Sequence, residues 1–181
     1  MAQWNLDPAH SSAEFSAKHM MITTVRGRLA VVGGTIDFDP ANPAAASVEA
    51  TLDAASINTG VGDRDGHLKS PDFLDVANYP TISFKSTRVE PTGGDKARIH
   101  GDLTVRGTTH PVVLEAEFLG AGKNPFDQSE RAGFIASTAI NREDWGLTWN
   151  VALETGGVLV GKEIRISLDI QAIKVTETVT A

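Results

Sequence analysis

SINTGVGDRDGHLKSPDFLDVANYPTISF, residues Ser56 to Phe84, is the stretch on which the reading of the fold turns, because the chain on both sides of it alternates as strands do. Inside it, Gly60, Gly62, Asp63 and Asp65 break the β pattern. The spacing predicts one helical turn over Arg64 to Leu68, with Asp63 or Asp65 as N-cap, since a short carboxylate accepts from the free amides of a first turn. Ser70-Pro71-Asp72-Phe73-Leu74 predicts a second short turn, capped by Ser70 and with Pro71 as its first helical residue. Asn78-Tyr79-Pro80 closes the excursion, because the residue before a proline is driven into extended backbone. A strand restarts at Thr81.

Toward the N-terminus, Val48, Ala50, Leu52 and Ala54 oppose Glu49, Thr51 and Asp53, a strand with one apolar and one wet face. Asp39 to Pro43 is a turn by its proline and Asx content, and before it a long strand runs from Val25 to Phe38. Gly27, Gly33 and Gly34 soften that strand and suit a bulge or a barrel bend. Ala13, Phe15, Ala17 and His19 alternate with Glu14, Ser16, Lys18 and Met20, preceded by a short Gln3 to Leu6 strand and an Asp7-Pro8 turn.

Toward the C-terminus, Ile82, Phe84 and Ser86 share a face, and Pro91 to Asp95 predicts a hairpin loop. Ala97, Ile99, Gly101, Leu103 and Val105 follow, then Val112, Leu114, Ala116 and Phe118. Gly120 to Arg131 reads as a polar loop. Phe134, Ala136, Thr138 and Ile140 resume the pattern, and Ile164, Ile166, Leu168 and Ile170 complete it against Glu163, Arg165, Ser167 and Asp169. No helical period is sustained. The class is all-β: an antiparallel sheet of about eight strands, closed as a barrel or folded as a sandwich, with a short helical excursion between central strands. Closure is favoured because it removes exposed edges. One domain is expected over 1–175, with 176–181 a loose tail.

Composition narrows the partners. A chain of 181 residues is long enough to bury roughly 70% of its unfolded surface. Sixteen Lys and Arg against 23 Asp and Glu give a net charge of −7, interspersed rather than blocked. That excludes the basic footprint nucleic acid requires, and no polybasic cluster offers itself to an anionic membrane. No window approaches the ~20 apolar residues of a membrane span, so no integral membrane association is expected. Absence of cysteine removes disulfides, Cys-based zinc sites and thiol nucleophiles. Met1 to Asp7 carries neither a basic region nor an apolar run, and the chain is read as cytoplasmic.

Four groups of residues carry a family resemblance. In the central stretch they are Arg64-Asp65-x-His67-Leu68, Asp72-Phe73 and Tyr79-Pro80-Thr81-Ile82-x-Phe84. Near the N-terminus they are Trp4-x-x-Asp7-x-x-His10-Ser11 with Phe15 and Lys18-His19-Met20. Later come Gly101-Asp102-Leu103-Thr104-Val105-x-Gly107 and Asn141-Arg142-x-Asp144-Trp145-Gly146. In that order, over essentially the whole chain, these resemble the YceI-like family. The resemblance implies a lipocalin-like antiparallel barrel that binds polyisoprenoid or related amphiphilic lipids, without known catalysis and without a cofactor, and it allows a homodimer. Arg106 stands where many members carry histidine, and no role is assigned to it.

The inward positions Ala17, Ala50, Ala54, Ala97, Gly101, Ala116 and Ala136 are small. From the pattern alone they fit a hollow barrel or a packed one in which alanines face larger residues; the resemblance favours a lipid. Strand parity then places Phe15, Leu52, Phe84, Leu103, Phe118, Phe134 and Ile166 in the pocket, with Ala50 and Ala116 leaving room for the chain. Phe73, Leu68 and Met20 are expected near an entrance covered by the excursion. His19 reads as an interior histidine, hydrogen-bonded or meeting a head group. Trp145 packs at a turn or forms an aromatic lip.

Among the polar groups, His10, His19, His67, His100 and His110 show no metal-ligand spacing, and no metal site is expected. Arg64, Asp65 and His67 invite a reading as acid, base and orienter of an enzyme. Crowded within four residues, they are read instead as a structural clamp between carboxylate and guanidinium.

Overall fold

A computed structural model describes residues 1–177; positions 178–181, most of the expected tail, lie outside the described residues. The strands are β1 (Ala2–Leu6), β2 (Ser12–His19), β3 (Thr23–Phe38), β4 (Ser47–Asn58), β5 (Thr81–Gly93), β6 (Lys96–Val105), β7 (Thr108–Lys123), β8 (Glu130–Asn141) and β9 (Glu163–Lys174). A single α-helix, α1 (Gly62–Lys69), lies between β4 and β5.

All pairings are antiparallel and the sheet closes on itself, in the order β3-β2-β9-β8-β7-β6-β5-β4 and back to β3. β1 and β2 share one position of this eight-place ring. β1 pairs with the last residues of β3 and of β9, and β2 pairs with their opposite halves. Between them the chain makes a 3-10 turn over Pro8–His10, capped by Asp7, whose Oδ1 accepts from the Ala9 amide at 3.1 Å. The buried Asp7 carboxylate also accepts from Arg131 Nη1 at 2.9 Å and Gln171 Nε2 at 3.2 Å, and pairs with His10 at 2.8 Å. One side chain thereby fastens the interrupted position to β8 and β9.

Three expected boundaries move, the first two because strand pairing outweighs local turn content. Pro91 and Thr92 sit inside β5, and the hairpin tightens to Gly94-Asp95, with Gly93 opposite Lys96. The expected 120–131 loop shrinks to 124–129, because Gly120 is absorbed as an irregularity and β7 and β8 pair out to Lys123 and Glu130. The helix is longer than Arg64 to Leu68, and its N-cap is Val61 without a side-chain cap. Asp63 and Asp65 fall inside its first turn, where their charge suits the helix dipole.

The bulge foreseen near Gly33 and Gly34 is present as a register shift between Val31 and Gly33. Two of the small inward residues serve close approach rather than free volume. A Cβ on Gly101 would lie 2.3 Å from the Phe84 ring, so that ring occupies the space the glycine vacates. Ala54 is 1% exposed within a packed cluster around Phe73, Ile82, Val105 and Trp145.

Candidate functional site

The inward faces of the barrel enclose two apolar cavities that meet at a waist of Leu52, Ile82 and Ile166. The lower, of about 210 Å³, lies toward the β3–β4 connection; the upper, of about 510 Å³, lies under α1.

Strands alone wall most of the lower chamber, because the two-residue period of each strand aims every second side chain inward. Phe38, Phe118 and Phe134 stack about one another, with ring centroids 4.9 to 5.4 Å apart. Beside them Ala97, Ala116 and Ala136 lie in register across β6, β7 and β8, so three neighbouring strands present methyl groups to the lumen. Ala50 is flanked in register by Gly34 and Phe84, and Phe84 by Leu103. Pro40, Pro43 and Ala46 form the floor.

Irregular segments close the upper chamber. α1 lies over the opening, and Thr59 just before it is the point to which it is tied. Arg64 donates from Nε to Thr59 Oγ1 at 2.7 Å and from Nη2 to Thr59 O at 2.9 Å. Asp65 Oδ1 accepts from the Thr59 amide at 2.8 Å and from its hydroxyl. The Thr59 hydroxyl bond, with smaller help from its amide and the charges of Arg64 and Lys69, outweighs desolvation and holds the Asp65 carboxyl below the usual aspartate range. His67 pairs with Asp72 at 2.9 Å and sets its ring edge-on to Phe73 and Trp149, with centroids at 5.0 and 4.5 Å. Arg64 and Asp65 thus grip a common threonine, and His67 reaches a different carboxylate. The three form a fastening for α1 and do not converge on a common reacting position.

Of the residues expected in a pocket, Ala50, Phe84, Leu103, Ala116, Phe118 and Phe134 wall the lower chamber. Leu52 and Ile166 form the waist, and Phe15, His19, Leu68, Phe73 and Trp145 wall the upper chamber. Met20 lies outside both walls, 44% exposed in the β2–β3 turn, where its amide donates to Leu159 O. Trp145 is 3% exposed and donates from Nε1 to Leu103 O at 2.9 Å, so it packs in the wall; Trp149 is the aromatic residue beside α1. Among the described residues no group of three His, Asp or Glu is placed to hold a metal ion, and no helix is long and apolar enough to cross a membrane.

Sequence reasoning missed the segment 146–162. Trp149, Leu159 and Val160 from it line the upper chamber. Asn150 holds it by imitating a strand neighbour, donating to Val160 O at 2.7 Å and accepting from Val160 N at 3.0 Å. Arg142, quoted in a motif but given no role, is 3% exposed and donates to the carbonyls of Gly161, Leu147 and Val160. Arg106 forms a left-handed two-residue turn with Gly107, φ 49° and 71°, and donates to Phe73 O at 3.0 Å. The usable signals were two tryptophans in a stretch without β alternation and an Arg-Gly pair between two strands.

The molecule is therefore a hollow, eight-place antiparallel barrel whose apolar lumen is capped at one end by a short helix. The model of the YceI-like domain matches residues 4–172, and the chain belongs to the YceI-like family. A UPF0312 protein of Staphylococcus aureus is 38% identical over 165 residues, 91% of this chain and 94% of that one. A UPF0312 protein of Vibrio cholerae is 40% identical over 139 residues, 77% and 73% of the two chains. Among solved structures, the Campylobacter jejuni YceI protein superposes with a TM-score of 0.69 at 30% identity, covering 88% of this chain and 90% of that one. A polyisoprenoid-binding domain from Saccharophagus degradans shares the fold, with a TM-score of 0.70 at 14% identity over 97% of this chain and all of that one. Family and fold together define a YceI-like barrel.

Proposed function

We propose that the protein binds one long-chain amphiphilic lipid of the polyisoprenoid class and carries, stores or shields it, without catalysis. Its tail lies along Phe84, Leu103, Ala116, Phe118 and Phe134, passes the waist at Leu52 and Ile166, and ends among Phe15, His19, Leu68 and Phe73. The observation that carries this reading is that Leu52, Phe84, Leu103, Phe118, Phe134 and Ile166 point inward yet stay only half-buried. In a packed barrel such side chains are covered by one another; here the cover is a ligand's to supply. An unfilled apolar cavity of about 210 Å³ costs about 5 kcal/mol at ~24 cal/mol per Å³, comparable with the whole stability of a marginal domain. A tail offsets that cost and adds ~0.8 kcal/mol for each methylene it withdraws from water.

Mass spectrometry of an organic extract of the purified protein tests the proposal, against an extract of another barrel protein handled identically. A stoichiometric isoprenoid is the expected result. An extract without lipid, together with no uptake of added polyprenyl lipids, would overturn it.

A further inference from the structure

Burying a charge is costly unless the charge is paired, and the usual partner of a buried guanidinium is a carboxylate. Arg142 is 3% exposed in the wall of the upper chamber and has no such partner among the described residues. Its nearest acidic neighbour in the chain, Glu143, pairs with Lys162 at 3.4 Å. What Arg142 meets is neutral: the carbonyls of Gly161 at 3.0 Å, Leu147 at 2.6 Å and Val160 at 3.2 Å, and the Phe73 ring, 5.7 Å from the guanidinium carbon. Burial pushes its pKa down, and the Glu143 charge offsets only part of that. A guanidinium carries five N–H donors, and these bonds engage three.

The sign of charge is unevenly shared between the chambers. Lys18, His19, Arg64, His67 and Arg142 all line the upper one, against Glu14 and Asp63. The lower one, otherwise walled mainly by isoleucine, leucine, alanine and phenylalanine, has Lys96 against Asp95 and Glu117. An amphiphile therefore enters tail first, with its polar end left under α1 among cationic groups. We infer that Arg142 is the head-group residue of this cavity and that the head group it recognises is an oxyanion, a phosphate or carboxylate on the lipid. Such a group meets a buried charge that has no carboxylate in contact through charge-assisted hydrogen bonds, which are about twice as strong as neutral ones. A neutral alcohol supplies no charge to match. The inference rests on the lipid-binding reading and specifies its ligand.

The test uses geranylgeranyl phosphate and geranylgeraniol, which share a tail and differ in the head. Tryptophan fluorescence reports binding, since Trp145 and Trp149 line the upper chamber. The wild-type protein is expected to prefer the phosphate by about tenfold or more, and Arg142→Gln to lose that preference. Equal wild-type affinities, or a preference that survives in Arg142→Gln, overturn the assignment. Failure of both probes to bind the wild type overturns the lipid reading itself. If Arg142→Gln does not fold, ¹⁵N-arginine labelling of the wild type decides: the Arg142 Nε resonance is expected to shift with the phosphate and not with the alcohol. A shift of equal size with both overturns the assignment. Inorganic phosphate alone, added at the same concentration, tells a lipid head group from a free anion site.

Discussion

The lower and upper chambers are built by different rules. The lower takes most of its wall from strand positions two residues apart, and its chemistry is mainly apolar, with aromatic rings, branched chains and a row of alanines beside Asp95, Lys96 and Glu117. The upper adds α1, the turn holding Arg142 and Trp145, and the 146–162 segment, and its charged lining comes from α1, β2 and Arg142. Regular backbone spends its polar atoms on the ladder and presents only side chains to the lumen. Irregular backbone must satisfy its carbonyls elsewhere, and Arg142, Arg106 and Asn150 are the side chains that do so. On the proposed reading, selection for a tail and selection for a head group are separated along the barrel axis.

Filling the lower chamber is expected to have the largest effect. Ala116→Phe places a ring in the row formed with Ala97 and Ala136. Displacing even four methylenes of a tail forfeits about 3 kcal/mol, roughly two-hundredfold in affinity. The loss falls on long lipids; a short prenyl chain, seated in the upper chamber, keeps its affinity. Titration with prenyl chains of increasing length reads the difference, and equal losses for short and long chains would show that the chambers do not divide the ligand. Unfastening the upper end has a smaller effect. Thr59→Val removes the hydroxyl that Arg64 and Asp65 share, which costs about 1–2 kcal/mol of local stability. Faster hydrogen exchange in α1, with the barrel strands unchanged, is the expected result; uniform change across the protein would mean that α1 is not a separate fastening.

This division also explains what was legible in the sequence. The inward sets on β4, β6, β7, β8 and β9 follow from alternation, because a half-buried strand writes its register into the chain. Loop lengths did not follow: Pro91 and Gly120 look like turn residues, and only pairing with Ala97 and Gly133 keeps them in strands. Alternation also cannot tell a small residue that leaves space from one that is filled, and Gly101, occupied by the Phe84 ring, is such a case. Trp149 and Arg142 were hidden for a different reason. Their places depend on contacts with carbonyls and rings distant in sequence, and no local period encodes those. Arg64 and Asp65 were legible as a fastening, but not as the expected carboxylate-guanidinium pair: each grips Thr59, which carries no charge to announce it.

The smallest expected effect separates the two ends by acid. Asp7, at the lower end, is buried; desolvation alone would raise its pKa, but the His10 bond, the Ala9 amide and the charges of His10 and Arg131 together lower it. Asp65, at the upper end, is lowered mainly by the Thr59 hydroxyl and is more exposed. Each carboxylate, with its folded pKa below the ordinary value of about 3.9, stabilises the fold fully above that value. The contribution is lost as pH falls from about 4 through the depressed folded pKa. Removing Asp7 leaves the Arg131 guanidinium with Asp127 as its remaining carboxylate, whereas removing Asp65 exposes only a helix tie. Urea melts between pH 7 and pH 2.5 should therefore show a shallower acid decline in Asp7→Asn than in Asp65→Asn, each compared with the wild type. If the two substitutions flatten the decline equally, the Asp7 network is no more of a fastening than the helix tie, and the interrupted β1–β2 position must be held by its backbone pairing with β3 and β9.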